Sequence, residues 1–330
     1  MVLASIPTAA NEKPTLGMLI GVAGLGDQSF NDMIYSGMIK AKQEFDLSLI
    51  IEDGEKSEPG FSRSMQRLLD KGASIIVVNG FHLKDLVHDY AKRYPDRYFI
   101  LHDAGLPDLP NVVSIIYADH EGSFLAGALA GMMTKTGKVG FLGGVDIPII
   151  HVFMAGYRQG ALYSNPKIQI REEFVTQSPD LSGFRNPAAG YEHATKIFQS
   201  GVDILFVAAG LTGNGALQAA SDANAFAIGV DSDQDHLAPG HVLTSMMKRL
   251  DVSTYREVSK IMTGKFIPGI QTYGLQENGV GLSTMKFTRN LIPPSVLQRL
   301  DEIQADIISG RITVHTTLDS AAATTDANGS

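Results

Sequence analysis

The sequence predicts an α/β chain of two doubly wound domains, each a parallel sheet covered by helices on both faces. Three observations carry that prediction. The chain has 330 residues, and at about 150 residues per domain this points to two domains. Short β-branched runs alternate with amphipathic segments along most of its length. Those runs are continuously apolar, the pattern of strands buried on both faces rather than on one.

The first series of strands is expected at Leu16–Ala23, Leu47–Glu52, Ser74–Asn79, Tyr98–Asp103 and Val112–Tyr117. Helices are expected between them at Asn31–Phe45, Glu58–Leu69 and Leu83–Arg93. A second series follows at Lys138–Gly143, Ile168–Val175, Asp203–Ala208 and Ala225–Val230, with helices near Glu121–Thr134, Pro148–Tyr163, Pro187–Gln199 and Gly215–Ala223. The chain then continues through a strand at Val242–Met247, a helix at Ser253–Met262 and a hinge-like stretch at Gly264–Gly269. Short strands at Gln271–Leu275 and Val280–Leu282 and a helix at Ser295–Ile308 complete it. Gly21-x-x-Gly24-x-Gly26 is echoed by Gly210-x-x-Gly213-x-Gly215, each at an expected strand-to-helix turn. The echo fits a structural repeat, and it also fits the ordinary use of glycine at turns that need a positive φ.

Composition excludes several function classes. With no cysteine there are no disulfides, thiolate metal sites, cysteine nucleophiles or lipid-modified cysteines in this form of the chain. A net charge of −8 argues against a nucleic-acid partner. The longest apolar runs, such as Ala73–Val78 and Ile204–Ala209, fall far short of the roughly 18 residues that span a bilayer. Met1–Lys13 lacks the charged and apolar regions of an intact signal peptide, whereas Ala4–Asn11 looks like a segment that follows a removed one. Thr316–Ser330, rich in Ala, Thr, Ser and Asp, is expected to be disordered. With no tryptophan, any aromatic platform must come from the 15 Phe and 10 Tyr.

The candidate chemistry sits at strand ends. Gly21–Gly26 has neither the glycine order of a dinucleotide fingerprint nor the Gly-Lys-Ser/Thr of a P-loop. It does leave bare backbone at the carboxyl end of a strand, where ligands bind in open α/β sheets. Asp27-Gln28-Ser29-Phe30-Asn31 follows it, with the groups to hold a small polar aromatic ligand. Ser29 or Asn31 could equally cap the next helix while Phe30 packs as a staple, and both roles can hold. Asp231–His236 fails as a calcium loop, since its sixth position is His236 and its twelfth Val242. Asp231 is either a carboxylate placed to accept two hydroxyl protons from a vicinal diol or part of a solvated acidic loop. Lys248 is either a donor to a ligand or to Asp231, or a surface lysine. His102-Asp103, Asp119-His120-Glu121 and His151 hold most of the acid–imidazole density, without metal-ligand spacing or a Gly-x-Ser-x-Gly elbow. No metal and no catalytic residue is assigned.

Six blocks in order make the chain similar to the basic membrane protein family, whose best understood members are purine nucleoside receptors of bacterial ABC importers. They are Asp27–Asn31, Glu121–Gly127, Val139–Gly144, Gly156–Gly160, Gly229–Gln234, and Thr244-Ser245 with Lys248. The resemblance runs from about Thr15 to Leu282. It implies a type I periplasmic-binding-protein fold with two α/β lobes joined by a three-strand hinge, closing on a ligand in the cleft. The lobes map to 1–118 with 232–267 and to 119–231 with 268–330. It also implies a base sandwiched between Phe30 and Phe184, polar contacts to the base from Asn31 and Asp103, sugar contacts from Asp231 and Lys248, and further ligand contacts from Asp27 and Gly210. The sequence departs from the family at Gly21, where aspartate is common, at Gln28, where lysine is common, and at the pair His102-Asp103.

The resemblance implies a non-catalytic solute-binding protein, exported to the periplasm or cell surface. It would act as a monomer without a cofactor and deliver a purine nucleoside to a membrane ABC permease. Guanosine or inosine is favoured over adenosine. The rival readings are a ligand-sensing regulatory module of the same fold, a binder of another riboside or sugar-like ligand, and an α/β enzyme acting on nucleosides.

Overall fold

The computed structural model of the chain describes residues 13–53, 57 and 59–317. The expectations for Met1–Lys13 and Thr316–Ser330 lie outside these residues except at Lys13, Thr316 and Thr317, as does Glu58 of the expected second helix.

The chain runs through β1 (Thr15–Leu19), α1 (Phe30–Phe45), β2 (Ser48–Glu52), α2 (Gly60–Asp70), β3 (Ile75–Asn79), α3 (Lys84–Arg93), β4 (Tyr98–His102) and β5 (Val112–Tyr117). It continues with α4 (Asp119–Met133), β6 (Lys138–Asp146), α5 (Pro148–Ser164), β7 (Gln169–Gln177), α6 (Pro187–Gln199), β8 (Ile204–Ala208), α7 (Leu211–Asp222), β9 (Phe226–Asp231) and β10 (Val242–Lys248). The last elements are α8 (Leu250–Met262), β11 (Gly269–Tyr273), β12 (Val280–Leu282) and α9 (Pro294–Ile308). Among the described residues, no helix is long and apolar enough to cross a membrane.

These elements form two compact units: residues 13–117 with Arg249–Tyr273, and Ala118–Lys248 with 274–317. The first unit's sheet has the order β11-β5-β4-β3-β1-β2 and the second's β12-β10-β9-β8-β6-β7. Read from their far edges, the two orders match strand for strand, and each is the 2-1-3-4-5 order of a doubly wound sheet with one added edge strand. The strand pairs are parallel except β10 with β12.

Burial explains why apolar runs became central strands. Every residue of β3 and of β8 is buried. In the first unit Phe61, Met65, Leu68 and Leu69 recur at helical spacing on α2 and pack with Leu19, Val78, Val87 and Leu101 in one cluster. In the second, Ala194 and Ile197 of α6 and Ala216, Leu217 and Ala220 of α7 close over Leu142, Leu205 and Val207. The other face carries Tyr157, whose ring stands 6.3 Å from that of Phe141 and 5.3 Å from that of Phe206.

Two expectations need correction. The chain passes between units at 117/118, 248/249 and 273/274, not at 118/119, 231/232 and 267/268. Residues 232–248 stay with the second unit because β10 pairs in parallel with β9, Ser245 opposite Gly229 and Met247 opposite Asp231. Residues 268–273 belong to the first because β11 pairs in parallel with β5, from Gly269 opposite Val113 to Tyr273 opposite Tyr117. The glycine echo is likewise not the mark of the repeat. Gly21–Gly26 follows β1, whose counterpart by sheet order is β6, while Gly210 follows β8, the counterpart of β3. Gly213 and Gly215 lie inside α7, and a Cβ on Gly215 would run into Pro187 O at the α6–α7 crossing.

The α4–α5 pair is equally close. A Cβ on Gly160 would overlap Phe124 O, and one on Gly127 would overlap Tyr157 O. Overfilling such a contact forces the backbones apart, so Gly160→Ala is expected to cost at least about 2 kcal/mol. Gly281, with nothing within 4 Å of its added Cβ, is the control, and Gly281→Ala is expected to change stability by no more than about 0.5 kcal/mol. Chemical denaturation of the two variants checks both numbers.

Candidate functional site

In the first unit the expected residues collect at the carboxyl ends of β1, β3 and β4. The loop after β1 is organised by Asp27, which is fully buried. Its Oδ1 accepts from Ser29 N at 3.0 Å and Asp32 N at 3.2 Å. Its Oδ2 accepts from Asn31 N and Asn31 Nδ2, both at 2.9 Å. Asp27, and not Ser29, therefore supplies the side chain that satisfies the first N–H groups of α1. Burial pushes its carboxyl above the ordinary range, and the four N–H bonds oppose that shift. Asp27 was expected among the ligand contacts; with both oxygens committed to α1 it is a support for the loop.

Phe30 and Asn31 open α1 from this capped end. Phe30 is half-buried, and its ring meets that of His102 edge-on, with centroids 6.5 Å apart. Asn31 is buried, and its Oδ1 accepts from Asn79 Nδ2 at 3.1 Å. His102, the last residue of β4, is fully buried between two hydroxyls: Nδ1 lies 3.2 Å from Tyr117 Oη, and Nε2 3.1 Å from Thr254 Oγ1. Tyr117 Oη is in turn bonded to Ser253 Oγ. Asp103 follows with φ +63°, a left-handed turn out of the strand. Gly21 has its own reason. A Cβ there would stand 2.5 Å from Asn79 O and 3.5 Å from His82 Cε1, so an aspartate at this position requires the end of β3 to move.

In the second unit, Phe184 and Gly210 come together from separate segments. Phe184 ends a short 3-10 turn, Leu181–Phe184. A Cβ on Gly144 would lie 2.6 Å from its ring, and one on Gly210 3.3 Å from its carbonyl oxygen. Gly210 begins α7 with φ +54°. Asp231 and Lys248 end the paired strands β9 and β10 at one edge. Both are buried, Lys248 to 1% exposure, which removes the readings of a solvated acidic loop and a surface lysine. Lys248 Nζ donates to Asp119 Oδ2 at 3.3 Å and lies 5.4 Å from the centre of the Phe153 ring. Gln234 folds back beneath this edge, accepting from Val230 N at 2.9 Å and donating its backbone N–H to Ser245 Oγ at 3.0 Å. A Cβ on Gly229 would stand 2.5 Å from Gln234 Oε1, which accounts for glycine in that block.

Asn79, Tyr117 and Asp119 were not among the expected site residues. Asn79 had a signal, a lone amide at the end of an otherwise apolar strand. Asp119, at the first position of α4, reads in sequence as an ordinary helix-start acid. Among the described residues, no group of three or more acidic or histidine side chains is placed to hold a metal ion.

Past Asp231, Asp233 Oδ1 accepts from Asp235 N at 3.2 Å, and Asp235 Oδ2 accepts from Lys286 N at 2.7 Å. Burial, with Asp233 alongside, pushes the Asp235 carboxyl from an ordinary 3.8 up to about 6. A carboxyl whose folded pKa is raised holds a proton that the unfolded chain has lost, so its contribution to stability falls as pH rises through this window. The chain is therefore expected to lose stability between about pH 4 and pH 6 at this site. Asp235→Asn keeps the acceptor for Lys286 N and should flatten that slope, adding about 1 kcal/mol or more at pH 7. Urea denaturation of both proteins across pH 4–7 measures the difference, and parallel pH curves would contradict it.

Comparison with known proteins bears on the family and the fold. A family model described as "ABC transporter substrate-binding protein PnrA-like" matches residues 14–317. Basic membrane protein A of Borreliella afzelii is 33% identical over 301 residues, covering 87% of each chain. An "uncharacterized lipoprotein" of Pyrococcus horikoshii is 33% identical over 276 residues, covering 81% of this chain and 68% of its own. A solved structure of an ABC transporter solute-binding protein from Aeropyrum pernix K1 superposes with a TM-score of 0.81 at 27% identity, covering 92% of this chain and 94% of that one. The fold is that of the periplasmic binding proteins of ABC transporters, of type I, with two α/β units. With a match across nearly its whole length, the chain belongs to the Bmp family of PnrA-like ABC transporter substrate-binding proteins.

Proposed function

We propose that this substrate-binding protein captures a purine nucleoside outside the cytoplasm, without chemical change, and delivers it as a monomer to a membrane permease. Guanosine or inosine is the preferred ligand. The first unit supplies Phe30 as a stacking ring with Asn31 and Asp103 for the base. The second supplies Phe184 as the other ring and Asp231 and Lys248 for the sugar hydroxyls. Asp27 and Gly210 shape the two edges.

One observation carries the reading: in the first unit the half-buried Phe30 is followed directly by Asn31, whose amide Asp27 and Asn79 hold in place. Rings recognise a flat π system, and offset stacking contributes about 0.5–1.5 kcal/mol per pair beyond burial. An ionised Asp103 only accepts hydrogen bonds. A 6-oxopurine offers it N1–H, and guanine adds an exocyclic amine, whereas adenine presents an acceptor at N1. A vicinal diol suits a buried carboxylate beside a buried ammonium, one taking and the other giving hydrogen bonds.

A calorimetric and thermal-shift panel of nucleosides, free bases and pentoses tests the proposal. A nucleoside present at 100 times its Kd should stabilise the protein by about 2.7 kcal/mol. Phe30→Ala should abolish that shift; an intact shift removes Phe30 from the site. Adenosine binding more tightly than inosine overturns the base preference, and recovery of free base after incubation overturns the non-catalytic reading.

A further inference from the structure

Asn79 ends β3, between β1 and β4 in the first sheet. Its side chain is fully buried. Its nitrogen donates to Asn31 Oδ1 at 3.1 Å, and its own Oδ1 is buried with no hydrogen-bond partner. A carboxamide turned end for end keeps its shape, so its hydrogen bonds decide which way it faces.

The decision starts at Asp27. Each of its oxygens already accepts two N–H bonds, so the end of Asn31 that meets it must be the NH2. Asn31 Oδ1 is thereby turned toward Asn79, where it needs a donor. Asn79 must answer with its own NH2, and its oxygen is left over. A buried oxygen without a donor is costly. Turning either amide over would be worse, because it sets acceptor against acceptor. The three side chains thus form a one-way relay, and its direction is dictated by the helix cap.

We propose that Asn79 is a positioning residue for base selection. Asp27 sets which way the Asn31 amide faces, and Asn79 holds its carbonyl oxygen there, so that Asn31 offers a ligand an N–H rather than that oxygen. This rests on the reading that Asn31 meets the base. A free asparagine amide pairs in two-point fashion with adenine, accepting from the 6-amino group and donating to N7. With Oδ1 turned toward the fully buried Asn79 and one of its lone pairs taken there, the second N–H of the Asn31 amide is the group on offer. An N–H suits the O6 acceptor of a 6-oxopurine and opposes the 6-amino donor of adenine, while N7 accepts in both. The lock therefore selects a carbonyl over an amine at position 6 of the purine, on the side of the base that Asn31 meets.

Two variants and two readouts test this. Asn79→Leu removes the donor at similar volume, and Asn79→Asp keeps the shape but turns the donor into an acceptor. In ligand-free protein, 15N–1H NMR of the Asn31 side-chain NH2 reads the lock without any nucleoside. Calorimetry then gives the ratio of inosine to adenosine affinity. Both variants are expected to shift the Asn31 NH2 signals and speed their exchange. The affinity ratio is expected to fall roughly tenfold, while melting with urea confirms that each variant folds. Unchanged Asn31 signals in a folded variant overturn the lock. Changed signals with an unchanged ratio overturn its part in selection. If the unaltered protein binds neither nucleoside while the Asn31 signals still respond to Asn79→Leu, the nucleoside reading has failed and selection with it, but the lock has not.

Discussion

The first unit depends on a buried carboxylate whose desolvation is offset by the peptide groups of a helix. Asp27 sits where α1 would otherwise leave its first N–H groups without acceptors, and it gathers three of them plus the Asn31 amide. Cap and carboxylate stabilise each other: the helix end supplies positive potential, and the side chain supplies acceptors. Because Phe30 and Asn31 are the first two residues of the capped helix, their positions are fixed by the same four hydrogen bonds. Side chains borne on a rigid helix start need little ordering, which would lower the entropic cost of the binding proposed for them.

The second unit meets the opposite problem, a buried cation. Lys248 ends a central strand where a long polar side chain has no water, and Asp119, at the start of α4, provides the opposing charge. Ion pairs in such places stabilise weakly, because desolvation of both partners cancels much of their attraction. Their stronger effect is on geometry, since separating two buried charges is costly. Asp231 on the neighbouring strand adds a second carboxylate to that edge.

Much of this was legible in the sequence. Continuous apolar runs marked the inner strands closely, and Val112–Tyr117, buried at all but one residue, was placed to the residue, because burial on both faces leaves no room for polar alternation. Edge strands were harder. β11 and β12 are short and partly exposed, so what assigns each to its sheet is a hydrogen-bonded neighbour far away in the chain. The crossing points of the chain depend on those pairings, and their misplacement followed. That Phe30, Asn31 and Asp103 lie at the carboxyl ends of strands was legible from the sequence, but the direction of the hydrogen bonds there was not. An aspartate in a glycine-rich loop reads the same whether it faces a helix end or a ligand. Lys248 reads as a surface lysine until β10 is known to be an interior strand.

The two edges also differ in what they ask of a ligand. The first unit's polar groups are locked into defined donor and acceptor directions, with the Asp27 charge already neutralised by N–H groups. In the second, the ammonium of Lys248 is matched by Asp119 before any ligand is considered. A free anion arriving at that edge would compete with the Asp119 carboxylate for the lysine, and a free cation would compete with the lysine for the carboxylate. A neutral molecule rich in hydrogen-bonding groups and carrying a flat apolar face meets no such competition. It exchanges water for fixed dipoles and a ring. That constraint follows from burial and pairing, and it is the physical argument by which the proposed function favours an uncharged ligand over an ionic solute.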